Sequence, residues 1–109
     1  DVANARIAIS LARAGRKVLL AVRDSTPAGK VFNQLSDAIR DEGVHGFKFF
    51  EDKLFIEHGS GGRIKISCEK HIVEGQLGGL LFHDLVGGED LSKTARDIAK
   101  PYVRLMAGQ

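Results

Sequence analysis

The run Lys17-Val18-Leu19-Leu20-Ala21-Val22-Arg23 limits what this chain can fold into more than any other stretch, because nothing between its two ends is polar. A strand with one wet face alternates apolar and polar residues. A strand without alternation is covered on both faces, as in a sheet with helices above and below it. The residues ahead of it point the same way. Within 2–14, Val2, Ala5, Ala8, Ile9 and Ala12 trace a helical stripe while Asn4, Arg6 and Arg13 lie off it, and Gly15-Arg16 closes the helix. A helix that ends on glycine and feeds a buried strand is the opening of an α/β unit.

The rest of the chain supplies the partners such a strand needs. Pro27 predicts the first turn of a second helix, with Ser25 or Thr26 as its cap. Val31, Leu35, Ala38 and Ile39 form its apolar face, and Asp41-Glu42-Gly43 ends it. Beyond Gly46 the texture becomes strand-like, with Phe47 and Phe49 ahead of two runs. The runs are Lys53-Leu54-Phe55-Ile56-Glu57-His58 and Arg63-Ile64-Lys65-Ile66-Ser67-Cys68, and Gly59-Ser60-Gly61-Gly62 between them marks a hairpin with a flexible tip. Ile72-Val73 reads as a short strand or an extension of the second run. Leu80-Leu81-Phe82-His83-Asp84-Leu85 reads as a further buried strand, broken by Gly87-Gly88. Asp90 or Ser92 caps a last helix reaching about Ala99, with Pro101 kinking or stopping it. The expected architecture is one α/β domain over 1–109: a mixed sheet flanked by helices, with a β-hairpin insertion.

Composition narrows the function classes. At 109 residues, 43% hydrophobic and 28% charged, the chain is an ordinary globular domain and not a disordered one. A net charge of +2 falls short of a dedicated nucleic-acid binder and leaves room only for a local basic patch. Cys68 is the only cysteine, which rules out an internal disulfide and points to a reducing, cytoplasmic compartment. No apolar run is long enough to span a membrane, and residues 1–14 carry arginines where a signal peptide has an apolar block.

Motifs with chemical content are few. Asp24-Ser25-Thr26-Pro27-Ala28-Gly29-Lys30-Val31 lies between a strand and a helix, as a phosphate-binding loop of the form G-x-x-x-x-G-K-[ST] does. An aspartate where backbone must wrap phosphate, and a valine where a hydroxyl must hold magnesium, exclude that role. Leu80 to Asp84 has the pattern of an apolar strand delivering a magnesium-holding carboxylate at its carboxyl end, which nominates Asp84. Lys53, Arg63 and Lys65 on the hairpin are candidates for contact with a nucleic-acid backbone. His45, His58, His71 and His83 have no metal-ligand spacing. Cys68 and His71 are close enough in sequence to suggest a thiol–imidazole pair, although Cys68 falls on the apolar side of its strand.

In order, these elements resemble the ATPase domain of bacteriophage terminase large subunits, the P-loop motors that package DNA, and share much of their layout with helicase-like ATPases. The resemblance rests on the helix leading into Arg16–Arg23, on the strand–Gly-Ser–strand pattern over Lys53–Ser67, on Gly75, and on Leu80 to Asp84. It spans about residues 5–90. In that family the phosphate-gripping loop precedes the first helix, which here places it ahead of Asp1, and a glutamate follows the magnesium-side aspartate where this chain has Leu85. The resemblance therefore implies a part or a degenerate relative of a nucleotide-dependent DNA-translocating ATPase, using ATP and magnesium only within a longer chain. As given, the chain is not expected to hydrolyse ATP alone. DNA, a protein partner or further copies of the chain are the expected partners, in the host cytoplasm if the protein is phage-encoded. Two rival readings come from the residues themselves: an interaction module that binds protein or nucleic acid through the basic hairpin, and a small enzyme built on Cys68 and His71.

Overall fold

Helix α1 (Val2–Arg13) buries Ala8, Ile9 and Ala12, and stops where the chain turns left-handed at Gly15, φ +86°. The Gly15 amide donates to the Ala12 carbonyl and Arg16 to Leu11, satisfying carbonyls the helix end would otherwise orphan. Strand β1 (Lys17–Val22) follows at once. The computed structural model describes residues 2–24, 27–75, 77 and 80–107. Over these the chain adds α2 (Ala28–Asp41), β2 (Phe47–Phe50), β3 (Phe55–His58), β4 (Arg63–Cys68), α3 (Glu69–Val73), β5 (Asp84–Val86) and α4 (Lys93–Ala107). Short 3-10 turns lie at Glu51–Lys53 and Gly88–Asp90.

The strands form one five-stranded sheet in the order β2-β3-β4-β1-β5. Strand β1 runs parallel to β4 on one side and to β5 on the other, with Val18 facing Ile64 and Asp84 in register. Strands β2, β3 and β4 are antiparallel neighbours. The fold is thus α/β with a mixed sheet, and the apolar run is its inner parallel strand. Alternation in β1 splits the core. Val18, Leu20 and Val22 join Ile56, Ile64 and Ile66 under α1 and α2, whose Phe32, Leu35 and Ile39 are buried there. Leu19 and Ala21 face the other way, onto Ile72 of α3, Leu77, Phe82, and Leu91, Ala95 and Ala99 in and before α4.

Several sequence expectations are corrected. Helix α2 begins at Ala28 with Pro27 in the capping position rather than in the first turn, and among the described residues no side chain caps it; Ser25 and Thr26, the expected caps, lie outside the described residues. Phe47–Phe50 is a strand of its own. Ile72-Val73 belongs to helix α3, because the Asp24 carboxylate accepts the Lys70 amide (2.9 Å) and fixes the helix start from across the sheet. The segment Leu80–His83 is not strand. Phe82 fills the second core with no exposed surface, its amide donating to Tyr102, and pairing begins only at Asp84. Helix α4 is capped by Ser92, whose hydroxyl accepts the Ala95 amide (3.2 Å), and it runs through Pro101.

The hairpin of β3 and β4 is present, but its tip is anchored. Ser60 Oγ donates to the Ala12 carbonyl (2.8 Å) and accepts the Gly62 amide (3.2 Å). A Cβ at Gly62 would lie 1.9 Å from that carbonyl, so only glycine lets the turn seat on the end of α1. His58 completes the clasp. Its Nδ1 accepts the Ser60 amide (3.1 Å), which leaves Nε2 to donate to the His45 carbonyl (3.2 Å).

Candidate functional site

The two ends of the parallel strands are chemically different. At the amino end, Asp84 opens β5 and is gripped by Arg16 through both Nε and Nη2, a forked ion pair. Next to it His83 Nδ1 accepts the Lys17 amide (3.0 Å) while the His83 amide donates to the Lys17 carbonyl (2.7 Å). These contacts clamp the start of β5 to the start of β1. Asp84 therefore does not emerge at the carboxyl end of a strand, as its nomination for the magnesium side required. The apolar run before it is core-filling loop, and pairing starts where that run ends.

At the carboxyl end, the chain leaves β1 towards α2 on one face and leaves β5 towards α4 on the other. Diverging connections open a crevice between neighbouring parallel strands, the usual ligand position in open α/β sheets. A cavity of ≈ 250 Å³ lies there, walled by Asn4 and Ala5 in the first turns of α1, by Val22 at the end of β1 and Arg23 just after it, by Val31 of α2 and by Asp90. Gly87 has φ +80° and a Cβ there would approach the Ala21 carbonyl to 2.5 Å and Asn4 Nδ2 to 3.5 Å. The absence of a side chain at Gly87 lets the end of β5 lie against β1 and keeps that wall of the crevice low.

Four carboxylates gather along this edge, and their partners divide them. Asp24 accepts the Lys70 amide and Glu69 the Ser92 amide (2.7 Å), so both are committed to backbone. That amide holds the Asp24 carboxyl below the usual carboxylate range, against some desolvation, with smaller help from the Cys68 thiol and the nearby His71. Asp90 is paired with Arg23 Nε (3.1 Å), and Glu89 Oε1 accepts from Asn4 Nδ2 (3.4 Å). These two are held by side chains alone, which a ligand can displace. In the sequence Asp90 reads only as a possible cap of the last helix, and Glu89 carries no signal of its own. The signal was present in Leu85-Val86 followed by Gly87-Gly88-Glu89-Asp90, an apolar pair running into a turn that carries carboxylates.

Of the hairpin cations, Arg63 and Lys65 share one face of β4, and Lys53 lies in the turn at its rim. Lys53 is exposed at the end of its 3-10 turn, and its carbonyl accepts from Lys65 Nζ. Lys65 is half-buried, and desolvation lowers its pKa. Arg63 is also half-buried and its Nε has no hydrogen-bond partner among the described residues. Cys68 packs partly against the first core, with its thiol towards Asp24. Among the described residues no group of histidine, cysteine and carboxylate side chains is arranged to hold a metal, and no helix is long and apolar enough to cross a membrane. Comparison with protein-family models, with curated proteins and with solved structures returned no match for this chain.

Proposed function

We propose that this chain is part of, or a degenerate relative of, a nucleotide-dependent DNA-translocating ATPase, and that it contributes the metal side of the nucleotide site at the carboxyl ends of β1 and β5. The observation that carries the reading is the crevice itself: diverging connections, a first helix whose opening turns wall it, and Asp90 at its rim. An ATPase of this type needs a carboxylate at a strand's carboxyl end to hold magnesium beside the phosphates. Asp90 meets that need, and Asp84 at the opposite end of the sheet does not.

The fit is one-sided. The cavity of ≈ 250 Å³ is below the size usual for a whole small-molecule ligand and suits a phosphate–magnesium end. Among the described residues, no lysine lines it to grip phosphate. Gly29 and Lys30 lie in the first turn of α2, whose amides at Lys30 and Val31 are spent on the Pro27 carbonyl. The reading accordingly requires a phosphate-gripping loop ahead of α1, and no hydrolytic step is assigned to these residues. What they do is present a carboxylate, hold it through Arg23 until a cation competes for it, and leave room for the ligand.

The test is binding of a fluorescent ADP analogue, with and without magnesium, to the protein in its natural reading frame. Asp90→Asn is expected to weaken magnesium-dependent binding at least tenfold, and Asp84→Asn to leave it within about twofold while the protein stays folded. Magnesium-independent binding, or a larger loss from Asp84→Asn than from Asp90→Asn, would overturn the proposal.

A further inference from the structure

The second core stops short of the antiparallel wing. Its members come from β1, α3, α4 and the segments next to them, and none from β2, β3 or β4. On the opposite face the wing is covered: Phe47, Phe49 and Leu54 pack against the first core, and the Arg40 guanidinium of α2 stands 4.3 Å from the Phe49 ring. The alternate residues of the same strands lie on the other sheet face, where Lys48 and Glu57 are exposed, Phe50, Phe55, Arg63 and Lys65 are half-buried, and Ser67 at the α3 end is buried. Register sets them in two rows. Phe50 pairs with Phe55, which pairs with Lys65; Lys48 pairs with Glu57, which pairs with Arg63. Phe50 and Phe55 belong to neither core among the described residues. They are half-buried and lean on each other with ring centroids 6.2 Å apart.

We infer that this face binds single-stranded nucleic acid, the two phenylalanine rings stacking bases and Lys48, Arg63 and Lys65 meeting the phosphates. Burial of apolar surface does not explain a pair of rings left outside both cores. Stacking on bases does, because every base presents a flat π-face once it is unpaired. Charge decides the occupant: Lys48, Arg63 and Lys65 oppose Glu57 alone on the face, with Lys53 at its rim beside Glu51 and Asp52. A duplex has the same phosphates but hides its base faces, so it cannot use the rings. The inference goes beyond the nucleotide reading and needs neither ATP nor magnesium.

The experiment is fluorescence anisotropy of a labelled twelve-nucleotide oligothymidylate, and of the matching duplex, titrated with the full chain without nucleotide at several salt concentrations. The single strand is expected to bind more tightly than the duplex, with log K falling against log salt at a slope of about −2, as neutralisation of phosphates by a few cations dictates. Phe50→Leu keeps an apolar side chain and removes the ring, and should weaken binding about tenfold with an unchanged circular dichroism spectrum. Lys48→Ala, at an exposed position, should weaken it several-fold and flatten the salt slope. Glu57→Gln, which removes the one opposing charge on the face, should strengthen it. Equal binding of duplex and single strand with no effect of Phe50→Leu would overturn the inference. So would the absence of binding at low salt, or sedimentation showing a dimer of this chain that Phe50→Leu dissociates.

Discussion

At Gly62 a single missing atom decides whether the hairpin can seat on α1. The Ala12 carbonyl that takes the Ser60 hydroxyl leaves no room for a Cβ 1.9 Å away. Gly62→Ala must push the turn off the helix end or strain it, and is expected to cost about 1–3 kcal/mol in denaturant unfolding. A loss below about 0.5 kcal/mol would mean the tip is loose after all. Asp24 makes a different kind of contribution. Its carboxyl is held below the usual carboxylate range chiefly by the Lys70 amide it accepts. A group whose folded pKa is depressed adds stability above its unfolded pKa and loses it as pH falls through the folded value. The stability difference between the native protein and Asp24→Ala should therefore be full at neutral pH and shrink below about pH 4, where the unfolded chain begins to take the proton. A difference that stays constant through acid unfolding would show that the charge is not what caps α3.

Strand β1 is the element on which both cores depend. Leu20 is 2% exposed and sits in the core beneath α1 and α2, so Leu20→Ala should cost about 2–5 kcal/mol, read from the chemical denaturation midpoint. A cost under about 1 kcal/mol would contradict its central position. This strand, the helices on either side of it and the hairpin were legible because their signals are local: an unbroken apolar run, a helical stripe closed by Gly15 or Gly43, and alternation around glycines. What was not legible depends on distant partners. Helix α3 contains the β-branched pair Ile72-Val73, which reads as strand, and is started by a carboxylate at Asp24 that only the folded sheet brings near. Leu80-Leu81-Phe82 has strand composition but supplies core filling from a loop. Strand β5 is so short that its few residues carry no period, and it exists because β1 offers it a parallel edge. In α4, Pro101 reads as a kink or a stop; the helix does not stop there but continues to Ala107, with Ala95 and Ala99 in the second core and Tyr102 packed against it.

Across the whole molecule, the parallel half and the antiparallel wing differ in what they present: the sheet's carboxyl edge between β1 and β5 holds a crevice with the Arg23-paired Asp90 at its rim, and the wing a face of half-buried rings and cations. The sequence alone placed the acidic group at the wrong end of its strand, because composition marks where an apolar run stops and says nothing about which of its residues pair. Side-by-side, parallel pairing of β1 with β5 is what brings the glycine-rich turn after β5 against the end of β1, beside the crevice. Manganese, a paramagnetic stand-in for magnesium, can locate the proposed metal position. With ADP present and the protein in its natural reading frame, amide resonances of Arg23, Gly88, Glu89 and Asp90 should broaden first in a manganese titration, and those of Asp84 and Gly59–Gly62 should persist. Broadening centred on Asp84, or spread evenly over the surface carboxylates, would contradict the account.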